Sequence, residues 1–83
     1  MLEDLKKASG RTVGMKETLK AVQRGTARLV YLAKDVDEYI ARKIKDTCQS
    51  HDVEIIMVDS MSELGEACGI TVGAATAAIL KDQ

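Results

Sequence analysis

Apolar positions along the chain alternate between a helical rhythm and short continuous runs. Leu2 and Leu5 stand at helical spacing within residues 2–8. Met15, Leu19 and Val22 recur at i, i+4 and i+7 between residues 15 and 24, so both segments are expected to be amphipathic helices. Gly25 stops the second. Between them, Arg11-Thr12-Val13-Gly14 reads as a brief strand ending at a glycine. Residues 27–33 contain Leu29-Val30-Tyr31-Leu32, an apolar run too short for a helix and suited to a strand covered on both faces. Asp35 or Asp37 can cap the next helix, which carries Val36, Ile40, Ile44 and Cys48 at spacings of four. Residues 53–58 read as a second buried strand. Ser60-Met61-Ser62-Glu63 fits the S-x-x-E capping box and opens a short helix that packs Leu64, Ala67 and Cys68 and ends at Gly69. Residues 74–80 read as a final strand of mainly small residues.

The order α-β-α-β-α-β-α-β implies an α/β fold: a three-layer α/β/α sandwich around a small mixed, largely parallel four-stranded sheet. With 83 residues the chain is one domain, residues 1–83, and with no Trp or Phe its core must be built from aliphatic side chains and Ala. No apolar run approaches the roughly 20 residues of a membrane span, and the acids in Met1-Leu2-Glu3-Asp4-Leu5 argue against a secretory leader. Cys48 and Cys68 fit neither a CxxC pair nor a metal knuckle. A reduced, cytoplasmic domain without a cofactor or metal is the expectation.

The net charge of −1 hides an asymmetry: residues 1–28 sum to +4 and residues 29–83 to −5. Within the basic part, Lys16, Lys20 and Arg24 lie at i, i+4 and i+8 and form one cationic stripe along the second helix. Like charges at that spacing cost a helix a few tenths of a kcal/mol per pair, and Glu17 relieves only part of it. The stripe fits an anionic ligand, and it equally fits a solvated helix face. Gly14 opens the same helix, where unpaired N–H groups and the dipole favour phosphates or base edges; an ordinary strand-to-helix turn has the same sequence. Residues 69–75, Gly-Ile-Thr-Val-Gly-Ala-Ala, form an uncharged loop between glycines. It lacks both phosphate-loop glycine patterns, so it reads as a helix stop before a strand, or as an apolar platform of Ile70 and Val72 for an unstacked base.

Catalytic constellations are absent from this pattern. The single histidine, His51, sits in Ser50-His51-Asp52, a polar link between helix and strand, and sequence neighbours do not make a triad. Cys48 and Cys68 fall on apolar stripes and read as small core hydrophobes. Asp35, Asp37 and Glu38 match no calcium loop and are explained by capping. An enzyme is not expected.

Together these segments resemble the kink-turn RNA-binding ribosomal proteins of the L7Ae/L30e superfamily. The resemblance runs through residues 14–30 (GMKETLKAVQRGTARLV), 33–37 (AKDVD), 58–65 (VDSMSELG) and 67–75 (ACGITVGAA), and so covers nearly the whole chain. It is greatest to the bacterial YbxF-type branch. It implies an α/β/α sandwich that binds a sharply bent RNA element with tandem sheared G·A pairs beside a three-nucleotide bulge. By position, groove contacts fall on Gly14, Lys16, Glu17 and Lys20, with Arg24 near phosphates. Loop contacts to bulged bases fall on Ile70, Thr71, Val72 and Gly73, and Asp37 takes the place of an acid near a flipped base.

The chain departs from the archaeal and eukaryotic pattern at three positions: Lys16 replaces Asn, Met61 replaces Lys, and Glu38 replaces Pro. An ammonium only donates, whereas an amide also accepts, so contact at Lys16 is expected to be more electrostatic. The resemblance thus implies a monomeric, non-enzymatic RNA-binding protein, ribosomal-protein-like or ribosome-associated. The alternative is a protein-interaction or ribosome-assembly module with weak or non-specific RNA binding.

Overall fold

The computed structural model describes residues 2–81. The elements follow in the order α1 (Glu3–Lys7), β1 (Arg11–Val13), α2 (Met15–Gln23), β2 (Ala27–Ala33), α3 (Glu38–Ser50), β3 (Ile55–Val58), α4 (Met61–Ala67) and β4 (Thr76–Leu80). The expected eight elements and their order are all present. The strands form one sheet in the order β1-β4-β2-β3.

Side-chain alternation along the strands builds two cores. Val30, Leu32 and Ala78 pack with Ala21, Val22, Ile44 and Cys48 of α2 and α3 on one face. Tyr31, Ala33, Ala77 and Ile79 pack with Leu5, Leu64, Ala67 and Cys68 on the other, toward α1 and α4. Helices therefore cover both faces, which makes the three-layer sandwich. Tyr31 is the one aromatic ring of the core and is fully buried. Burial, with the charge of Asp4 in second place, raises its phenol pKa, while Arg28 pulls the other way. The small residues Thr76, Ala77 and Ala78 of the sheet's inner strand have no exposed surface.

The sheet is mixed, but not largely parallel as the chain order suggests. β2 and β3 pair in parallel, whereas β4 runs antiparallel to both β1 and β2. The cause is the length of α4. Its seven residues span only about 10 Å at 1.5 Å per residue, too little to carry the chain back across the sheet. The loop after α4 returns to that helix's own start, where Ala74 N–H donates to Met61 O at 3.0 Å. β4 must then enter from the end at which β1, β2 and β3 finish.

Boundaries shift for similar reasons. Val53 N–H is spent on Cys48 O in closing α3, so β3 begins at Ile55 rather than Val53, and its place at the edge of the sheet leaves only Val58 of the expected buried strand buried. The Ala74 bond likewise delays β4 to Thr76. Val36 precedes α3 instead of lying on its stripe, yet packs against both cores. Asp37 is the cap of α3, its Oδ1 accepting from Ile40 N–H at 3.1 Å. At the start of α4, Ser60 Oγ accepts from Glu63 N–H at 3.1 Å, the serine half of the expected capping box, without a return bond from Ser60 N–H to the Glu63 carboxylate among the described residues.

β2 also carries a bulge. Ala27 pairs with Leu80 and Leu29 with Ile79, leaving Arg28 as the extra residue. Ala27 thereby faces the α2–α3 core, and Leu29 two positions later packs against the other.

Ile44 is only 1% exposed, between α3 and the sheet. Ile44→Ala is expected to lower unfolding stability by about 2–5 kcal/mol through lost transfer energy and a cavity. Urea denaturation read by circular dichroism measures this as a lower midpoint at unchanged slope.

Candidate nucleic-acid interface

The strand directions bring four connections to one end of the sheet. β1 ends at Gly14, β2 at the 34–37 turn and β3 at Asp59, and β4 starts beyond the 68–75 loop. At this end, Gly14 N–H donates to Thr76 O at 2.8 Å, joining the start of α2 to the start of β4. Gly14 has φ +95°, and a Cβ added there would meet nothing within 4 Å, so conformation rather than space calls for glycine. Thr18, fully buried, shares a 2.8 Å hydroxyl contact with Thr12 and holds the first turn of α2 on β1. The N–H groups of Met15, Lys16 and Glu17 have no partner within the helix, as at any helix start, and so form a donor cluster beside the positive dipole end.

Met15, Thr18, Leu19, Ala21 and Val22 of α2 turn toward the protein, while Lys16, Glu17, Lys20 and Arg24 are exposed. The stripe therefore lies on the outer face. Lys20 Nζ is 3.9 Å from Glu17 Oε2, with both side chains about half exposed, a pair worth little in stability. Lys16 and Arg24 have no side-chain partner among the described residues. The acids near this end are engaged: Asp37 with Ile40 N–H, Asp35 Oδ1 with Met61 N–H at 2.8 Å, and Asp59 with Lys34 Nζ at 3.2 Å. All three remain exposed, but each has one carboxylate oxygen committed to a donor of the protein itself.

The 70–73 loop is fixed from below by a contact that requires glycine. A Cβ on Gly65 would collide with Val72 O and lie 3.1 Å from Gly73 Cα. A Cβ on Gly73 would lie 3.0 Å from Met61 Cβ. The loop thus rests on the bare backbone of α4 and on Met61, and Ile70 N–H donates to Gly65 O at 3.0 Å. Val72 is 70% exposed, and Thr71 and Gly73 are exposed with it. Ile70 is half-buried and packs against the α1–α4 core, so the apolar platform consists of Val72 with Ile70 as its anchor. Met61, where the resemblance has Lys elsewhere in the family, supports the underside of the loop.

Three residues have roles that the sequence does not suggest. Arg11, one of the cations of the basic half, donates to Leu5 O at 3.2 Å, Lys6 O at 3.4 Å and Cys68 O at 3.0 Å. One guanidinium thus satisfies the carboxyl ends of both α1 and α4. Asp35 ties the β2–α3 turn to α4. Gly65 is visible in the sequence only as a glycine inside a helical segment, an arrangement that costs about 1 kcal/mol against Ala and signals a packing reason.

His51 is exposed at the end of α3, with Nδ1 2.9 Å from Thr47 O. Cys48 and Cys68 lie in different cores, and burial raises both thiol pKa values, with Arg11 opposing the rise at Cys68. Among the described residues, no group of three or more His, Cys, Asp or Glu side chains is placed to hold a metal, and no helix is long and apolar enough to cross a membrane.

Comparison with known proteins agrees with this geometry. The chain is 52% identical over 68 residues to an RNA-binding protein of Caldanaerobacter subterraneus subsp. tengcongensis, covering 82% of this chain and 83% of that one. It is 42% identical over 69 residues to the RNA-binding protein YbxF of Geobacillus stearothermophilus, covering 83% and 84%. Among solved structures, a Giardia lamblia 15.5kD RNA binding protein superposes with a TM-score of 0.87 at 32% identity, over 99% of this chain and 72% of that one. Residues 1–83 match the description "Ribosomal protein L7Ae/L30e/S12e/Gadd45 family". The chain belongs to that family, with YbxF-like bacterial proteins among its relatives.

Proposed function

We propose that this protein is a monomeric, cytoplasmic, non-enzymatic RNA-binding protein, ribosomal-protein-like or ribosome-associated, that recognises and stabilises kink-turns. The observation that carries the reading is the meeting, at one end of the sheet, of the α2 entrance, the α3 cap and the exposed 70–73 loop, with Lys16, Lys20 and Val72 all exposed. RNA-binding relatives support the RNA half of the reading.

Each part has a chemical task. The helix-start donors of Met15 to Glu17, which follow the bare backbone of Gly14, and the Lys16 ammonium face base edges and nearby phosphates, and Glu17 supplies an acceptor for exocyclic amines. Lys20 and Arg24 follow the backbone along the outer face of α2. Val72, with Ile70 behind it and Thr71 and Gly73 beside it, covers bases released from the stack, and Asp37 borders the flipped base. A regular A-form duplex hides its base edges in a deep, narrow groove, whereas a kink with unpaired nucleotides exposes them. The protein binds the bent form better than the extended form and shifts the population by that difference in affinity.

Titration against a kink-turn RNA and the same RNA with its G·A pairs made Watson–Crick tests this reading. Preference for the first is expected, and equal affinity overturns it. Lys20→Ala should weaken binding and reduce the slope of log K against log salt by about 0.9, the share of one phosphate contact, as measured by titration at several salt concentrations. Gly65→Ala should push Val72 off α4 and weaken RNA binding about tenfold, equivalent to ~1.4 kcal/mol, while the far-UV circular dichroism spectrum keeps its helical signature.

A further inference from the structure

β3 is an outer strand of the sheet, hydrogen-bonded only to β2. Its register pairs Val30 with Ile55 and Ala33 with Val58, and the flanking bonds run from Val30 N–H to Glu54 O and from Lys34 N–H to Val58 O. In a parallel ladder with this phase, Glu54, Ile56 and Val58 turn their backbone groups toward β2. Ile55 and Met57 turn theirs outward, giving two donors and two acceptors with no protein partner among the described residues. Among the described residues, nothing but its brevity blunts this edge. Ile55-Ile56-Met57-Val58 contains no proline, no lysine and no bulge, the devices that ordinarily prevent strand addition.

Beside the edge lies a groove of about 350 Å³, lined by Leu2, by Glu3 and Lys6 of α1, by residues 56–59, and by Glu63 of α4. Its floor is apolar, and Met57 is 36% exposed. Its rim carries three acids against one lysine. Asp59 is paired with Lys34, whereas Glu3 and Glu63 have no ion-pair partner among the described residues. An acidic rim repels RNA phosphates and also repels the same rim on a second copy of the chain. It attracts lysine and arginine.

We propose that the open edge of β3 and this groove take an extended, basic segment of a partner protein, added as a fifth strand. The segment's backbone pairs with Ile55 and Met57, and the side chains on the one face it turns toward α1 and α4, every second residue, enter the groove beside Leu2 and Ile56 with an apolar group and meet Glu3 and Glu63 with cations on either side of it. Main-chain bonds supply affinity, and the groove and rim supply selection, as in other strand additions. The surface does not depend on the RNA reading.

The test uses the full-length protein labelled with ¹⁵N and a short synthetic peptide with lysine, valine and lysine at every second position and threonine between them. Binding is expected to shift resonances of residues 55–59 and to slow exchange of the Ile55 and Met57 amides. Met57→Pro removes an outward donor and leaves the bonds to β2 intact, a placement edge strands tolerate; it should weaken the peptide about tenfold. The double variant Glu3→Lys/Glu63→Lys should do likewise without touching the strand, and it decides the matter if Met57→Pro fails to fold. Unchanged affinity in the double variant overturns the proposal, as do peptide shifts scattered over all acidic residues. Slowed Ile55 and Met57 exchange on raising protein concentration alone would assign the edge to a second copy, and slowed exchange with kink-turn RNA alone would assign it to RNA. Either result also overturns it.

Discussion

Everything at the candidate interface depends on two backbone contacts that place separate segments of the chain against each other. The bond from Gly14 N–H to Thr76 O sets the start of α2 relative to β4. The seating of Val72 O on Gly65 sets the preceding loop relative to α4. Neither contact is strong by itself; a neutral hydrogen bond contributes about 1 kcal/mol. Their importance is geometric. On the proposed reading, one segment touches base edges and the other covers loose bases, which calls for a fixed separation between them, and rigid elements hold it better than a free loop.

Much of the architecture was legible because its signals are local. The rhythm of Met15, Leu19 and Val22 and the unbroken run Leu29-Val30-Tyr31-Leu32 each report which face an element buries, and the structure puts these residues on the expected faces. The sheet's pairing sense was not legible, because it depends on whether α4 is long enough to cross the sheet, and a capping box marks where a helix starts without saying how far it must travel. The task of Arg11 was hidden for a related reason. Charge is visible in a sequence, but three carbonyls converging from two helix ends are not. At the interface, the cationic stripe and the uncharged loop could each be found from spacing, yet each also fitted an ordinary structural reading. Their shared location required the strand directions.

The charge asymmetry along the chain becomes an asymmetry of surfaces. Lys16, Lys20 and Arg24 stand exposed on α2, while Asp35 and Asp37 are turned to backbone N–H groups. The acids whose side chains have no partner among the described residues include Glu3 and Glu63 beside β3. A near-neutral protein can in this way present a cationic face to a polyanion without attracting it over the whole molecule, which favours one orientation of encounter over many.

The bulge at Arg28 has a consequence for how such a domain can change over evolutionary time. An added residue in a strand ordinarily swaps every side chain beyond it to the opposite face, and here that swap is built in, so that Ala27 and Leu29, two positions apart, face opposite helix layers. Lineages carrying this fold should accordingly tolerate length variation between strands far more readily than inside the Ala27–Ala33 segment, where one codon gained or lost would turn the centre of the protein inside out.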